Sequence, residues 1–472
     1  MTEKKNRVPV SREFREWLLD VYPRAFEETS EARLLQELLF PRWRDDLTGA
    51  PVLSQWRLAT LEGRERDLKH HRYSGLAFLR AFEQHLGATL RITEADWLEG
   101  RSRTVRLCLP IALEQVLAIE LRLPPPVKPV DFLTGRPMLE KEVEKLRAAR
   151  RTRRRTYRPP PELRAPSAPW ALFLNKTPPH VFRRFERNIE QAVAVAESFD
   201  DPERRQANLL TLHVLRYFGL DPAYQVVERT PRIYTSGWST AQLSANVRAV
   251  LLSGALHFDL RSAQLAIVAV LWGLPTIQGV LEDALRQGVP AWPRLLKLVG
   301  LPDNDDKVKD SFKTLVYATA YGMGQENLRQ LAAERFGEKA KALFASALMR
   351  ELLRGRQARL RRLQAEGGIV DAFEEAHSLE ERRSQMSKPD RAALSLLAHE
   401  AQSFELRLMQ PALELARRTS EFRVVLWLHD GLYAAVTQPE REGRYVERVV
   451  REVNERAERL GFATRLDFKK LS

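Results

Sequence analysis

An α+β architecture with an antiparallel sheet is expected from two features of the chain. In its second half, short apolar runs alternate with long segments of helical periodicity, and two of those runs flank His429-Asp430-Gly431 in the apolar, turn, apolar pattern of a hairpin. The first half adds a smaller α+β unit. FREWLLDVYPRAF and ARLLQELLF repeat apolar residues at helical spacing, whereas ATLRIT, TVRLCLP and LAIELRLP read as strands.

Taken in order, residues 1–145 form this N-terminal unit, whose role the sequence leaves open. Residues 146–170, LRAARRTRRRTYRPPPELRAPSAPW, pass from arginines into prolines and are expected to be a linker that holds neither helix nor central strand. In 171–229, PHVFRRFERNIEQAVAVAESF and ERRQANLLTLHVLRYFGL carry apolar residues at helical spacing with basic residues opposite, a form suited to gripping a duplex. Thereafter RIYTSG, AVLLSGALHFDL, FRVVLWLH and LYAAV are expected strands. QLAIVAVLWGL, VKDSFKTLVYATAYG and RAALSLLAHEAQSFELRLMQPALELARR are expected helices.

Composition narrows the function classes. Lys and Arg outnumber Asp and Glu by 76 to 62, a formal charge of +14, which points to a polyanionic partner, most commonly nucleic acid. No stretch approaches the roughly 18 consecutive apolar residues of a membrane span, and MTEKKNRVPVSREFREW has charges where a signal peptide would be apolar, so a cytoplasmic protein is expected. The single cysteine, Cys108, excludes an intramolecular disulfide and reads as a small buried hydrophobe. His70-His71, beside Lys69 and Arg72, reads as a solvated polar turn.

Three segments carry candidate chemistry: Asp259-Leu-Arg-Ser-Ala-Gln264; Lys309, Lys313, Tyr317 and Tyr321-Gly322 at every fourth position; and His429-Asp430-Gly431. Two Mg²⁺ ions held by a few carboxylates can activate a hydroxyl and neutralise a leaving pyrophosphate, and two aspartates at the ends of adjacent strands would suffice to hold them. Asp259 ends an apolar run before a helix, with the Leu260 carbonyl beside it. Taken singly, Asp430-Gly431 is also an ordinary hairpin turn and Asp259 also a helix N-cap. The four-residue register places lysines, as point charges for a triphosphate, and tyrosine rings, for a base and ribose, along one helix face. Gly322 at its end would let a template approach.

These segments resemble family A DNA polymerases and, more distantly, single-subunit RNA polymerases, over roughly residues 228–472. Asp259 matches the first catalytic aspartate of motif A; Lys313, Tyr317, Tyr321 and Gly322 match the K-x3-(F/Y)-x3-Y-G core of motif B; His429-Asp430 matches motif C. Arg232-Ile-Tyr-Thr-Ser-Gly237 and Gln242-Leu-Ser-Ala-Asn246 resemble the segment that tracks primer and template, and Gln402 the glutamine that touches the minor groove. Departures are Lys309 for arginine, Gln264 for the glutamate that gates the 2′-hydroxyl, Gly431 for an acid, and Trp238 for a primer-contacting arginine.

The resemblance implies a right-hand polymerase with an antiparallel palm (230–265 and 400–472), helical fingers (266–399) and a reduced thumb (171–229). It implies a template-directed DNA polymerase that uses a DNA primer-template, dNTPs and two Mg²⁺ ions, with Mn²⁺ as a substitute; no ordered set of carboxylates in the first half suggests a proofreading nuclease, so none is expected. Asp259, Asp430 and the Leu260 carbonyl would be metal ligands, and Lys313 would act on the triphosphate. Lys309, Tyr317, Tyr321 and Gln264 would bind nucleotide; Arg232, Gln242, Gly322, Gln402 and His429 would meet primer or template. Replication proteins are expected as further partners of the N-terminal domain, and the compact size suits a plasmid or phage replicase. Gln264 and Gly431 keep open a primase or RNA polymerase; a third alternative is a replication initiator whose polymerase half is inactive.

Overall fold

The computed structural model describes residues 7–40, 52–64, 75–86, 90–95, 102–107, 129–159, 165–227, 229–236, 238–386 and 389–471. Among these, helices predominate, and every strand pairing is antiparallel. The expectations on Cys108, His70-His71 and the LAIELRLP strand fall outside the described residues.

A four-stranded sheet, ordered Phe422–Trp427, Gly431–Val436, Leu256–Leu260, Leu466–Lys470, organises the second half. Side chains alternate across a strand, so Leu256, Phe258 and Leu260 enter one core while His257 and Asp259 face the other way. That first core is closed by helices Ala263–Leu271, Ala392–Arg418 and Glu442–Arg459, the last contributing Val446, Val449, Val453 and Ala457 at helical spacing. On the opposite face, a bulge between Val424 and Leu426 turns both Val425 and Leu426 into a second core, with Tyr433 and Ala435. The helix Ala392–Arg418 runs through Pro411, whose missing N–H frees the carbonyl four residues earlier. That Arg407 carbonyl accepts instead from the Arg456 guanidinium at 2.8 Å.

Several expectations need correction. AVLLSGALHFDL is not one strand: Ala245–Leu251 is helical, Gly254 turns the chain at φ +84°, and the strand begins at Leu256. A continuous apolar run does not distinguish buried helix from buried strand.

The expected linker is helical across Glu140–Thr156, because its arginines and alanines favour helix and the prolines start only at Pro159. Arg154 is buried, 2.7 Å from Asp221, and donates to the carbonyls of Asn175 and Thr177. Arg147 donates to the Arg216 and Tyr217 carbonyls in the last turn of Pro202–Phe218, capping that helix. Among the described residues, the N-terminal ones have no core to themselves either. Phe14, Leu18 and Leu35 share the second core with Leu212 and Leu215 of Pro202–Phe218 and with the sheet. No helix among the described residues is long and apolar enough to cross a membrane.

Candidate active site

Adjacent strands deliver the two aspartates. Asp259 lies next to last in the central strand, and Gly431, first residue of its neighbour, is its pairing partner. The Leu428 N–H closes the hairpin on the Gly431 carbonyl at 2.9 Å, and the Asp430 carbonyl accepts from the Leu260 N–H at 2.9 Å. Asp430 is therefore both a hairpin turn residue and fastened beside Asp259. Gly431 has a packing reason of its own: an added Cβ would stand 2.5 Å from the Phe258 carbonyl oxygen and 3.2 Å from an Asp259 carboxylate oxygen. Gly431→Ala is expected to cost about 1–3 kcal/mol in urea unfolding, the usual range for overpacking. Unchanged stability would show that the strands can part there.

Beyond Leu260, which pairs with Leu466, the chain turns at Ser262. Its φ of +51° is a left-handed conformation that a non-glycine residue holds only when its surroundings enforce it. The corner puts Gln264 in the first turn of Ala263–Leu271, 3 % exposed, with neither amide atom hydrogen-bonded.

A third carboxylate escaped the sequence reading. Asp467 pairs with Asp259 across the edge strand and is flanked by Arg261 and, at 3.6 Å, Arg465. Its only signal was its place in the strand-like run LDFKK, where no motif marks it. Burial raises the Asp259 carboxyl to about 7, and the charges of Asp430 and Asp467 push the same way against Lys313 and Lys469. The side chain itself reaches solvent, so a cation can approach it.

The helix carrying the lysines spans Asp306–Ala320, capped by Asp305, whose carboxylate accepts from the Lys307 and Val308 N–H groups. Phe312, Leu315, Val316 and Thr319 are buried, leaving Lys309, Lys313 and Tyr317 on the other face. The Lys313 ammonium lies 5.5 Å from the centre of the Trp292 ring, which also meets Tyr317 edge-on at 5.6 Å. Burial lowers the Lys313 pKa, and the charge of Asp259 is among those that oppose this. Burial also raises the Tyr317 hydroxyl, with Asp430 the next cause, so this face looks onto both aspartates. Lys309, farther out, pairs with Asp306 on its own helix.

Other expected contacts are taken up within the protein. Arg232 is buried against Glu405 at 2.7 Å and donates to the Tyr321 hydroxyl at 2.5 Å. Burial would lower its pKa, but Glu405, Tyr321 and Tyr234 together reverse this; with Nε and Nη2 engaged by Glu405 and Tyr321, Arg232 braces Tyr321 and has no free fork for a primer. Gln402 accepts from the Thr230 hydroxyl at 2.7 Å, and Gln242 closes a capping box with Ser239. Gly322, at φ +80°, is approached by the Leu394 carbonyl, 2.7 Å from where a Cβ would be. That close approach is itself a reason for a glycine at this position. The His429 ring packs on Tyr234 with Nδ1 buried and unpartnered. Trp238 packs on Phe40 of the N-terminal region.

No protein-family model matches the chain, and no curated protein does. Among solved structures, the chain is similar to the POL domain of Pol1 from M. smegmatis in complex with DNA primer-template and dNTP. The TM-score is 0.42 at 11% identity, covering 93% of this chain and 81% of that one.

The donor type fits hard divalent cations: carboxylates stand on adjacent strands, and a Mg²⁺ ion held there would offset the burial, and the Asp430 and Asp467 charges, that raise the Asp259 pKa. The sign of the pH dependence follows. Folding favours protonated Asp259, so its contribution to stability is present below its ordinary value of 3.8 and is lost as pH rises to about 7. A Mg²⁺ ion held there would compete with that proton. Its stabilisation of the fold should therefore grow between about pH 6 and about pH 8 in thermal melts, and Asp259→Asn should flatten that growth. Equal Mg²⁺ shifts at both pH values would contradict the assignment.

Proposed function

We propose that the chain is a template-directed DNA polymerase of the right-hand type that extends a primer 3′-hydroxyl with dNTPs and lacks proofreading. The observation that carries this proposal is the meeting of Asp259 and Asp430 at the ends of paired strands, opposite the Lys313 and Tyr317 face. In this proposal the four-stranded sheet is the palm, 266–399 are the fingers and 171–229 the thumb.

Asp259 and Asp430, with the Leu260 carbonyl, would hold two Mg²⁺ or Mn²⁺ ions. Bound there, such ions acidify the attacking hydroxyl and offset charge on the pyrophosphate. Lys313 draws the triphosphate by charge, and its lowered pKa suits it to give a proton to the departing pyrophosphate. Lys309 would exchange Asp306 for an outer phosphate. Tyr317, steadied by Trp292, and Tyr321, steadied by Arg232, would frame the nucleotide.

Gln264 is the proposed sugar gate. Its buried amide lacks partners and is nearly the size of the glutamate in the resembling family, so it would exclude a 2′-hydroxyl sterically. Being able to donate to that hydroxyl, it would exclude less strictly than a carboxylate. Primer extension with dNTPs and with NTPs tests this: dNTP preference with measurable NTP leakage is expected, raised in Gln264→Ala and lowered in Gln264→Glu. The same amide favours a second reading as a primase or RNA polymerase. Equal or better use of NTPs, unchanged in Gln264→Ala, would replace the first reading with it.

A further inference from the structure

Asp371, His377 and His399 converge from three separate elements of the segment that joins the two halves of the sheet. Asp371 follows the short strand Gly368–Val370, His377 lies in its antiparallel partner Ala376–Ser378, and His399 is in the helix Ala392–Arg418. The Asp371 side chain is fully buried; those of His377 and His399 are 18% and 5% exposed. None of the three takes part in the proposed polymerase chemistry.

We propose that Asp371 Oδ2, His377 Nε2 and His399 Nε2 form a binding site for a zinc-class transition metal ion. The Oδ2 atom is 3.0 Å from His377 Nε2 and 3.4 Å from His399 Nε2, and all three lie within 4.8 Å of one another. Ligands bonded to one ion at about 2.0–2.1 Å stand about 2.9–3.4 Å apart in octahedral or tetrahedral arrangement, which the two shorter separations match. The other oxygen of Asp371 is spoken for. Oδ1 accepts the N–H groups of Phe373 and Glu375 at 2.8 and 3.1 Å, fixing the carboxylate so that Oδ2 alone faces the imidazoles.

His399 also has the outer contact that oriented metal ligands show: Nδ1 is 3.3 Å from the Arg229 carbonyl, able to donate to it and leave Nε2 as a lone pair toward Asp371. Two imidazoles and one carboxylate suit Zn²⁺ better than Mg²⁺, which takes oxygen. Both histidines line a cavity of about 660 Å³, which offers an entry path and solvent for a fourth position. Arg382, 3.5 Å from His399 Nδ1, and Arg229 line the same cavity. Their charge opposes a cation, so affinity should be moderate. The competing arrangement is a metal-free clamp in which both imidazoles donate to Oδ2.

Zinc binding to the chelator-treated full chain distinguishes the two. We expect one Zn²⁺ per chain, retained in the Asp259→Asn/Asp430→Asn double variant and weakened at least about 100-fold in His377→Ala, the most accessible ligand. Circular dichroism reports whether that variant is folded. Should it unfold, Co²⁺ added to the wild-type chain gives the same answer, through ligand-field absorption and magnetic coupling to two imidazole nitrogens. Absence of stoichiometric Zn²⁺ from the wild-type chain, retention of Zn²⁺ in folded His377→Ala, or Co²⁺ without imidazole coupling would each overturn the proposal in favour of the clamp.

Discussion

Asp259→Asn and Asp430→Asn should each lower nucleotide incorporation about 10²- to 10³-fold or more, the scale of losing one preorganised electrostatic stabiliser in a closed site. Primer-template affinity should survive. In the proposed reaction the two carboxylates would act on the reacting phosphate, whereas binding to a duplex would rest on a charge excess of 76 cations over 62 anions spread through the chain. Both changes are nearly isosteric, and the backbone bonds that position the hairpin involve main-chain atoms of residues 260 and 428–431, so the fold should hold. Single-turnover incorporation beside a filter-binding or anisotropy titration separates the two effects. An Asp430→Asn enzyme extending primers at the wild-type rate would leave Asp430 as a hairpin turn only.

Lys313→Met is expected to reduce incorporation about 10²- to 10³-fold while leaving stability nearly unchanged. The methionine keeps an unbranched apolar stem against Trp292 and removes only the charge. Lys313→Arg should recover part of the rate, since it restores the charge but carries its donors in a planar fork. The expected split is a lower rate at saturating nucleotide together with weaker nucleotide binding. A solvated helix lysine without a role would show neither, and equal rates for Lys313→Met and the wild type would assign it so.

The sequence made the elements of the site legible where one local pattern sufficed. The hairpin at Asp430, the strand-to-helix corner after Asp259 and the register of Lys309, Lys313 and Tyr317 are properties of short segments, and all three appear in the structure. What stayed hidden depends on partners remote in the chain. Asp467 joins Asp259 only through strand pairing, and Glu405, 173 residues from Arg232, is what removes that arginine from the expected primer contact. Gly322 read as room for a template; the nearby Leu394 carbonyl gives the glycine a packing reason that only the fold reveals. Arg154 read as one charge in a flexible run until helix formation carried it to Asp221. Gly431 read as a missing acid; strand packing against Phe258 gives a reason why no side chain stands there.

The central claim is template-directed nucleotidyl transfer at Asp259 and Asp430, and extension of a labelled primer by one nucleotide tests it most directly. With Mg²⁺ and each dNTP supplied singly, the wild-type chain should add only the nucleotide complementary to the template base, and the Asp259→Asn/Asp430→Asn double variant should add none. No extension of any primer-template with dNTPs or NTPs by folded wild-type protein, or extension undiminished in the double variant, would contradict it.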